Sequence, residues 1–179
     1  MATAEQVQEL KEKMRAERGK LLDTLEALGE DEAECSTSGE GEWSAKQQMA
    51  HLCEMETAYR AWVEKALTED NPNVDNVFGG PPAITLTKAH DHTAAEHVAE
   101  MRRQRALTEA VIDGIKAEQF ERTATQQMFG TLTVMQWLRS YYRHDRMHSD
   151  QVSGRDPAYK PRFTNGEPDQ RRSSSRARC

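Results

Sequence analysis

With 179 residues the chain suits one domain plus tails, and its make-up, 36% hydrophobic, 6% aromatic and 30% charged, points to helices around a lean, largely aliphatic core. A formal net charge of −6 speaks against a general nucleic-acid binder, because phosphate affinity comes from clustered Lys and Arg. Three cysteines without C-x-x-C spacing argue against a disulfide framework, and no run approaches the ~18 apolar residues of a membrane span.

The segment from Met1 to Glu5 lacks the basic and apolar regions of a signal peptide, so a soluble, cytoplasmic protein is expected. The first helix is predicted from about Glu5 to Leu28, with Val7, Leu10, Met14, Leu21, Leu25 and Leu28 on its inner stripe and Gly29 as its stop. Residues Glu30 to Glu42 are acidic and small, and read as a loop in which Cys35 is an exposed thiol. Ser44, followed by Gln47, forms a capping box that opens a second helix running to about Leu67. Its stripe is His51, Met55, Ala58, Trp62 and Ala66. Cys53 stands ~200° around the helix from His51 and reads as core packing.

Residues 69–92, broken by Asn71-Pro72 and Gly79-Gly80-Pro81-Pro82, form a long polar loop that could cover one end of a bundle. A Thr93/Glu96 capping box begins the third helix, which is predicted to reach about Ala117. Arg105 falls on its inner stripe among Val98, Met101, Thr108 and Ile112. It either pairs with a carboxylate or faces a cavity and recognises an anionic group. His90, Asp91, His92 and His97 read as surface residues. After a turn at Met128-Phe129-Gly130-Thr131, the fourth helix starts at a Thr133 or Thr131 cap and continues to about Ser153, without Gly or Pro. Four long amphipathic helices with roomy connections predict an all-α protein, a four-helix bundle over residues 1–153. Residues 154–179, which end in Arg171-Arg172-Ser173-Ser174-Ser175-Arg176-Ala177-Arg178, are expected to be an irregular or disordered basic tail.

The chemistry concentrates in the last helix. His144 and His148 stand four residues apart on one stripe with Trp137, Tyr141 and Val152, so both imidazoles face the apolar side, where a polar ring needs a partner. His51 is the third inward histidine. Facing helices build metal sites in this way, and three neutral imidazoles leave a coordination position open for water or substrate. From spacing alone, metal ligands and satisfied core histidines are both compatible with the pattern.

Trp43-Ser44-Ala45-Lys46-Gln47-Gln48-Met49-Ala50-His51-Leu52, followed by Gly130-Thr131-Leu132 and then His144-Asp145-Arg146-Met147-His148-Ser149-Asp150-Gln151-Val152, resembles the DinB (damage-inducible, YfiT-like) superfamily of metal-dependent enzymes. The resemblance covers residues 5 to 153. It implies an up-down-down-up bundle, a divalent metal such as zinc or nickel on His51, His144 and His148, and a homodimer. It also implies kinship with S-transferases that use a low-molecular-weight thiol, acting on a small-molecule substrate. Among polar neighbours, Tyr141, Arg105 and Glu54 are catalytic candidates. Each also has a plainer reading: core packing for Tyr141, ion pairing for Arg105, and a solvated or salt-bridged role for Glu54. Asp145 reads as a structural or supporting group rather than a base. Two functions follow: a thiol transferase or hydrolase acting on a small electrophile, or a non-catalytic metal-binding stress protein that works through dimerisation.

Overall fold

The fold is seen in a computed structural model that describes residues 1–36 and 42–159. Its four long helices are α1 (Ala4–Glu26), α3 (Ala45–Thr68), α4 (Ala94–Asp113) and α5 (Val134–Val152). Each opens on a reciprocal capping box: Thr3/Gln6, Ser44/Gln47, Thr93/Glu96 and Thr133/Gln136. In every case the side-chain oxygen of the cap accepts from the N3 amide, and the N3 side chain accepts from the cap amide, so two orphan donors are satisfied at once.

Cross-helix pairs give the directions. Lys11, Arg15 and Glu26 of α1 meet Asp113, Glu109 and Arg102 of α4, so rising numbers face falling ones and these helices are antiparallel. Glu56 and Arg60 of α3 meet Arg105 and Thr108 of α4, which makes that pair parallel. Across α3 and α5, His51 meets His148 while Trp62 meets Trp137, an antiparallel arrangement. Leu10 and Met14 share a cluster with Leu138 and Tyr141, whereas Leu21 and Leu25 share another with Val152, so α1 and α5 run together. The bundle is therefore up-down-down-up.

Parallel α3 and α4 require a crossover, and residues 69–93 supply it. Far from loose, this segment is fastened along α3 and α4. The Trp62 indole donates to the Val77 carbonyl at 2.6 Å, the Leu86 amide donates to Glu54 at 2.8 Å, and the Ala83 amide donates to Glu100 at 2.9 Å. Gly79 adopts φ +71°, and a Cβ there would stand 2.6 Å from the Thr57 carbonyl oxygen.

Three local expectations are corrected. The 30–42 loop contains a short helix, α2 (Glu30–Ala33), which buries Ala33 and engages Lys46 through Glu30 and Glu34. The turn before α5 belongs to a hairpin of β1 (Thr123–Gln126) and β2 (Gly130–Thr133), with Thr123 opposite Thr133 and Thr125 opposite Thr131. Ala124 faces Leu132 on the core side of this hairpin, and on the other side the Thr125 and Thr131 hydroxyls bond across the strands at 2.8 Å. His97, read as a surface residue, is fully buried, and its Nε2–H donates to the Ala89 carbonyl at 2.8 Å.

The core is divided. Tyr59, Trp62, Phe120, Trp137 and Tyr141 gather towards the hairpin end, while Leu21, Leu25, Met49, Leu52, Cys53 and Met101 gather at the other. Cys53 is a buried free thiol whose pKa is pushed up by desolvation. Among the described residues no helix is long and apolar enough to cross a membrane. Residues 154–159 bend back on α5, where Arg155 and the Ala158 amide bond to Asp150. The basic stretch 171–178, and the rest of the expected tail from residue 160, lie outside the described residues.

Candidate metal centre

Antiparallel packing of α3 on α5 sets His51, two turns into its helix, across from the paired histidines near the end of α5. His144 Nε2 lies 3.3 Å from His51 Nε2 and 3.0 Å from His148 Nε2. One ligand atom from each of the three lies within 4.8 Å of the others. Donors ~2.0–2.1 Å from a tetrahedral ion stand ~3.3–3.4 Å apart; the His51–His144 separation matches this and the His144–His148 separation is slightly shorter. Hydrogen bonding alone serves this cluster poorly. A neutral imidazole has one N–H, and three Nε2 atoms turned on one another bring lone pairs together. A cation at their focus satisfies all three.

The electrostatics keep the donors free. Burial, reinforced by the Arg18 charge, pulls His144 down to about 4, and burial beside the other two rings holds His148 well below the usual imidazole range. Both are therefore neutral at pH 7. The Trp43 ring lies 4.6 Å from that of His51, and the Tyr59 ring lies 6.2 Å from that of His144, so the rings present apolar walls beside the site.

Gln48 is a site residue that the sequence reading passed over. Its Oε1 lies 2.9 Å from His148 Nδ1, and its amide nitrogen donates to the Trp43 carbonyl at 3.3 Å. The available signal was its position three residues before His51, on the same helical face.

Arg18 was missed as well, although its place between Met14 and Leu21 continues the inner stripe of α1. It anchors a four-membered buried charge network directly behind His144. Arg18 bonds to both oxygens of Asp145 at 3.1 and 2.8 Å and to Glu56 at 2.7 Å. Arg105 donates to Glu56 at 2.8 Å, to Asp145 at 2.8 Å and to the Met14 carbonyl at 2.9 Å. Thr108 adds a bond to Glu56 at 2.9 Å. Two guanidiniums balance two carboxylates, all at most 6% exposed. Burial alone would raise Asp145, yet Arg105 and Arg18 hold its carboxyl below the ordinary range.

The three catalytic candidates are placed accordingly. Arg105 does not face a cavity: it sits in this network with its guanidinium bonded to three partners, the carboxylate pairing that was the plainer of its two readings. Tyr141 is buried, and its hydroxyl donates to the Glu56 carbonyl at 3.3 Å, under the Arg105 guanidinium. Glu54 accepts the Leu86 amide and so tethers the crossover. Among the described residues, the bonds of Arg105, Tyr141 and Glu54 run to Glu56, Asp145, Met14 and Leu86, not to the histidine nitrogens.

Comparison with known proteins agrees with this architecture. The sequence profile of the DinB superfamily matches residues 13–152. YfiT from Bacillus subtilis, described as a probable metal-dependent hydrolase with an unusual four-helix bundle topology, superposes with a TM-score of 0.68 at 15% identity, over 86% of this chain and 87% of that one. A mutant of the mycothiol-dependent maleylpyruvate isomerase superposes with a TM-score of 0.63 at 12% identity, over 82% of this chain and 60% of that one. At such identities the likeness is one of fold. No curated protein sequence matches the chain.

Proposed function

The chain belongs to the DinB superfamily, and from that premise we propose that it is a divalent-metal-dependent enzyme, a hydrolase or a thiol S-transferase, acting on a small electrophile. The observation that carries this reading is the convergence of three imidazole nitrogens, with Nε2–Nε2 separations of 3.0 and 3.3 Å about His144. His51, His144 and His148 would hold the ion, zinc or nickel by their chemistry. Bound there, the ion would supply Lewis acidity to water or to a low-molecular-weight thiol at its remaining position.

The chain's own residues would do the rest. Gln48 orients His148, the charge network stiffens α5 beneath His144, and the Trp43 and Tyr59 rings shield the site from bulk water. Desolvation raises the Tyr59 phenol, which therefore stays protonated at neutral pH. We extend the proposal to a cytoplasmic homodimer without nucleic-acid or membrane partners.

Metal content by mass spectrometry, on protein purified without a nickel column, tests the reading. Near-stoichiometric metal in the wild type and its loss in His148→Ala are expected. No metal in either protein, and none taken up on adding zinc or nickel, would overturn it.

A second reading, a non-catalytic metal-binding bundle, is favoured by one observation: Arg105, Tyr141 and Glu54 are all committed to structural bonds. Cobalt substitution separates the two. A visible spectrum that shifts on adding a small thiol favours the enzyme, and an unresponsive spectrum favours the passive bundle.

A further inference from the structure

We propose that Gln48 is the positioning residue of this site: it fixes the tautomer of His148 and thereby presents that ring's Nε2 lone pair towards His51 and His144. The consequence for metal affinity rests on the three-histidine reading above; the tautomer assignment does not.

The argument starts from a group whose role is beyond choice. A backbone carbonyl oxygen can only accept, so the Trp43 carbonyl, 3.3 Å from the Gln48 side-chain nitrogen, demands an N–H there. The amide is thus oriented with its NH2 towards Trp43. The flipped alternative would set Gln48 Oε1 against the Trp43 carbonyl oxygen, acceptor on acceptor. Gln48 Oε1 must then be the atom that faces His148 Nδ1, at 2.9 Å. An amide oxygen accepts only, so Nδ1 carries the proton. In a neutral imidazole the other nitrogen is then bare. That nitrogen is Nε2, 3.0 Å from His144 Nε2.

Burial makes this control effective. Gln48 is 4% exposed and His148 1% exposed, so water cannot readily replace either partner. Two local features hold the arrangement. Gln48 lies in the first turn and a half of α3, and Trp43 directly precedes the Ser44 cap, so one capped helix start delivers both ends of the relay. The Trp43 ring lies against His51 as well. The same short stretch therefore supplies one histidine and sets the protonation pattern of another that comes from a different helix.

The chemistry of the partner also matters. A neutral amide donates less electron density through the ring than a carboxylate would, leaving His148 a weaker base and any bound cation a stronger acid. Glutamate at position 48 would keep an acceptor facing Nδ1 while giving up the bond to the Trp43 carbonyl, whereas methionine, of similar length, would offer only a weak thioether acceptor.

The test uses the full chain, labelled with 15N at histidine, freed of metal with a chelator and observed by long-range proton–nitrogen correlation. The His148 signal is identified by its absence in His148→Ala. The wild type should show His148 with its proton on Nδ1, Gln48→Glu should keep that pattern, and Gln48→Met should lose it. In zinc titrations Gln48→Met should bind about 10–100-fold more weakly than the wild type, while Gln48→Glu stays within a few-fold. A wild-type His148 protonated on Nε2 would overturn the assignment, as would a Gln48→Met protein that keeps both the Nδ1–H signal and wild-type affinity. If Gln48→Met does not fold, the tautomers of the wild type and Gln48→Glu still decide. If the wild type shows the Nδ1–H tautomer and takes up no zinc, the positioning role stands and the metal reading falls.

Discussion

His144 and His148 gain their character from opposed requirements. His148 is buried and His144 half-buried, which disfavours the charged form, yet each must keep a lone pair available. The linkage has a definite sign. An unfolded histidine titrates near ~6.5, while folded His144 is held at about 4. Between those values the unfolded chain binds a proton that the folded chain refuses, so folding stability rises with pH there. Chelated protein should therefore lose stability as pH falls from about 6.5 towards about 4, read as a declining urea midpoint at pH 7, 6 and 5. A midpoint that is flat over that span would contradict the desolvated, neutral state of the pair. Asp145, depressed by its two arginines, adds a loss of the same sign in the acid range.

At the level of the elements, the four helices are tied at one level by Arg18 from α1, Glu56 from α3, Arg105 from α4 and Asp145 from α5. Such a network need not outperform well-packed apolar residues, but removing one member strands the others in a dry interior. Arg105→Met should cost about 3–5 kcal/mol by urea denaturation. Arg105→Lys should not restore it, because an ammonium cannot span two carboxylates as a planar fork does. A loss below about 1 kcal/mol for Arg105→Met would show that the network adds little.

The crossover carries its own prediction. At Gly79 the φ of +71° and the 2.6 Å approach to the Thr57 carbonyl leave no place for a methyl group. Gly79→Ala should cost about 1–3 kcal/mol and speed proteolysis within residues 69–93. Unchanged stability and cleavage would mean that this segment is not pinned to α3 at that point.

For the whole molecule, the histidines join α3 to α5, so a cation that binds only the folded arrangement stabilises the entire bundle. At 100 times the dissociation constant the gain is about 2.7 kcal/mol. For a chain of this size that is a rise of roughly 5–10 °C in Tm. Zinc or nickel should produce this shift in the wild type and none in His148→Ala. Equal shifts in both proteins would mean that the ion acts elsewhere.

The starts and inner faces of the long helices were legible. Ser44/Gln47, Thr93/Glu96 and Thr133/Gln136 announced three helix starts, because a cap is a contact between residues three apart and needs no tertiary information. The stripe from Trp137 to Val152 likewise showed that His144 and His148 face inward, since helical periodicity is a property of the chain itself. The DinB resemblance paired those two with His51.

What only the tertiary structure decided was who meets whom across helices. Arg105 on an apolar stripe could have lined a cavity, and its partners Glu56, Asp145 and the Met14 carbonyl come from three other helices. Gln48 looked like one more polar residue of a helix start until α5 brought His148 Nδ1 within 2.9 Å of it. The β1–β2 hairpin stayed hidden because each strand is four residues long, with one inward apolar residue apiece, too short for an alternation to show. Periodicity and capping are written into neighbouring residues. Hydrogen bonds and ion pairs between distant residues exist only once the backbone has closed the distance.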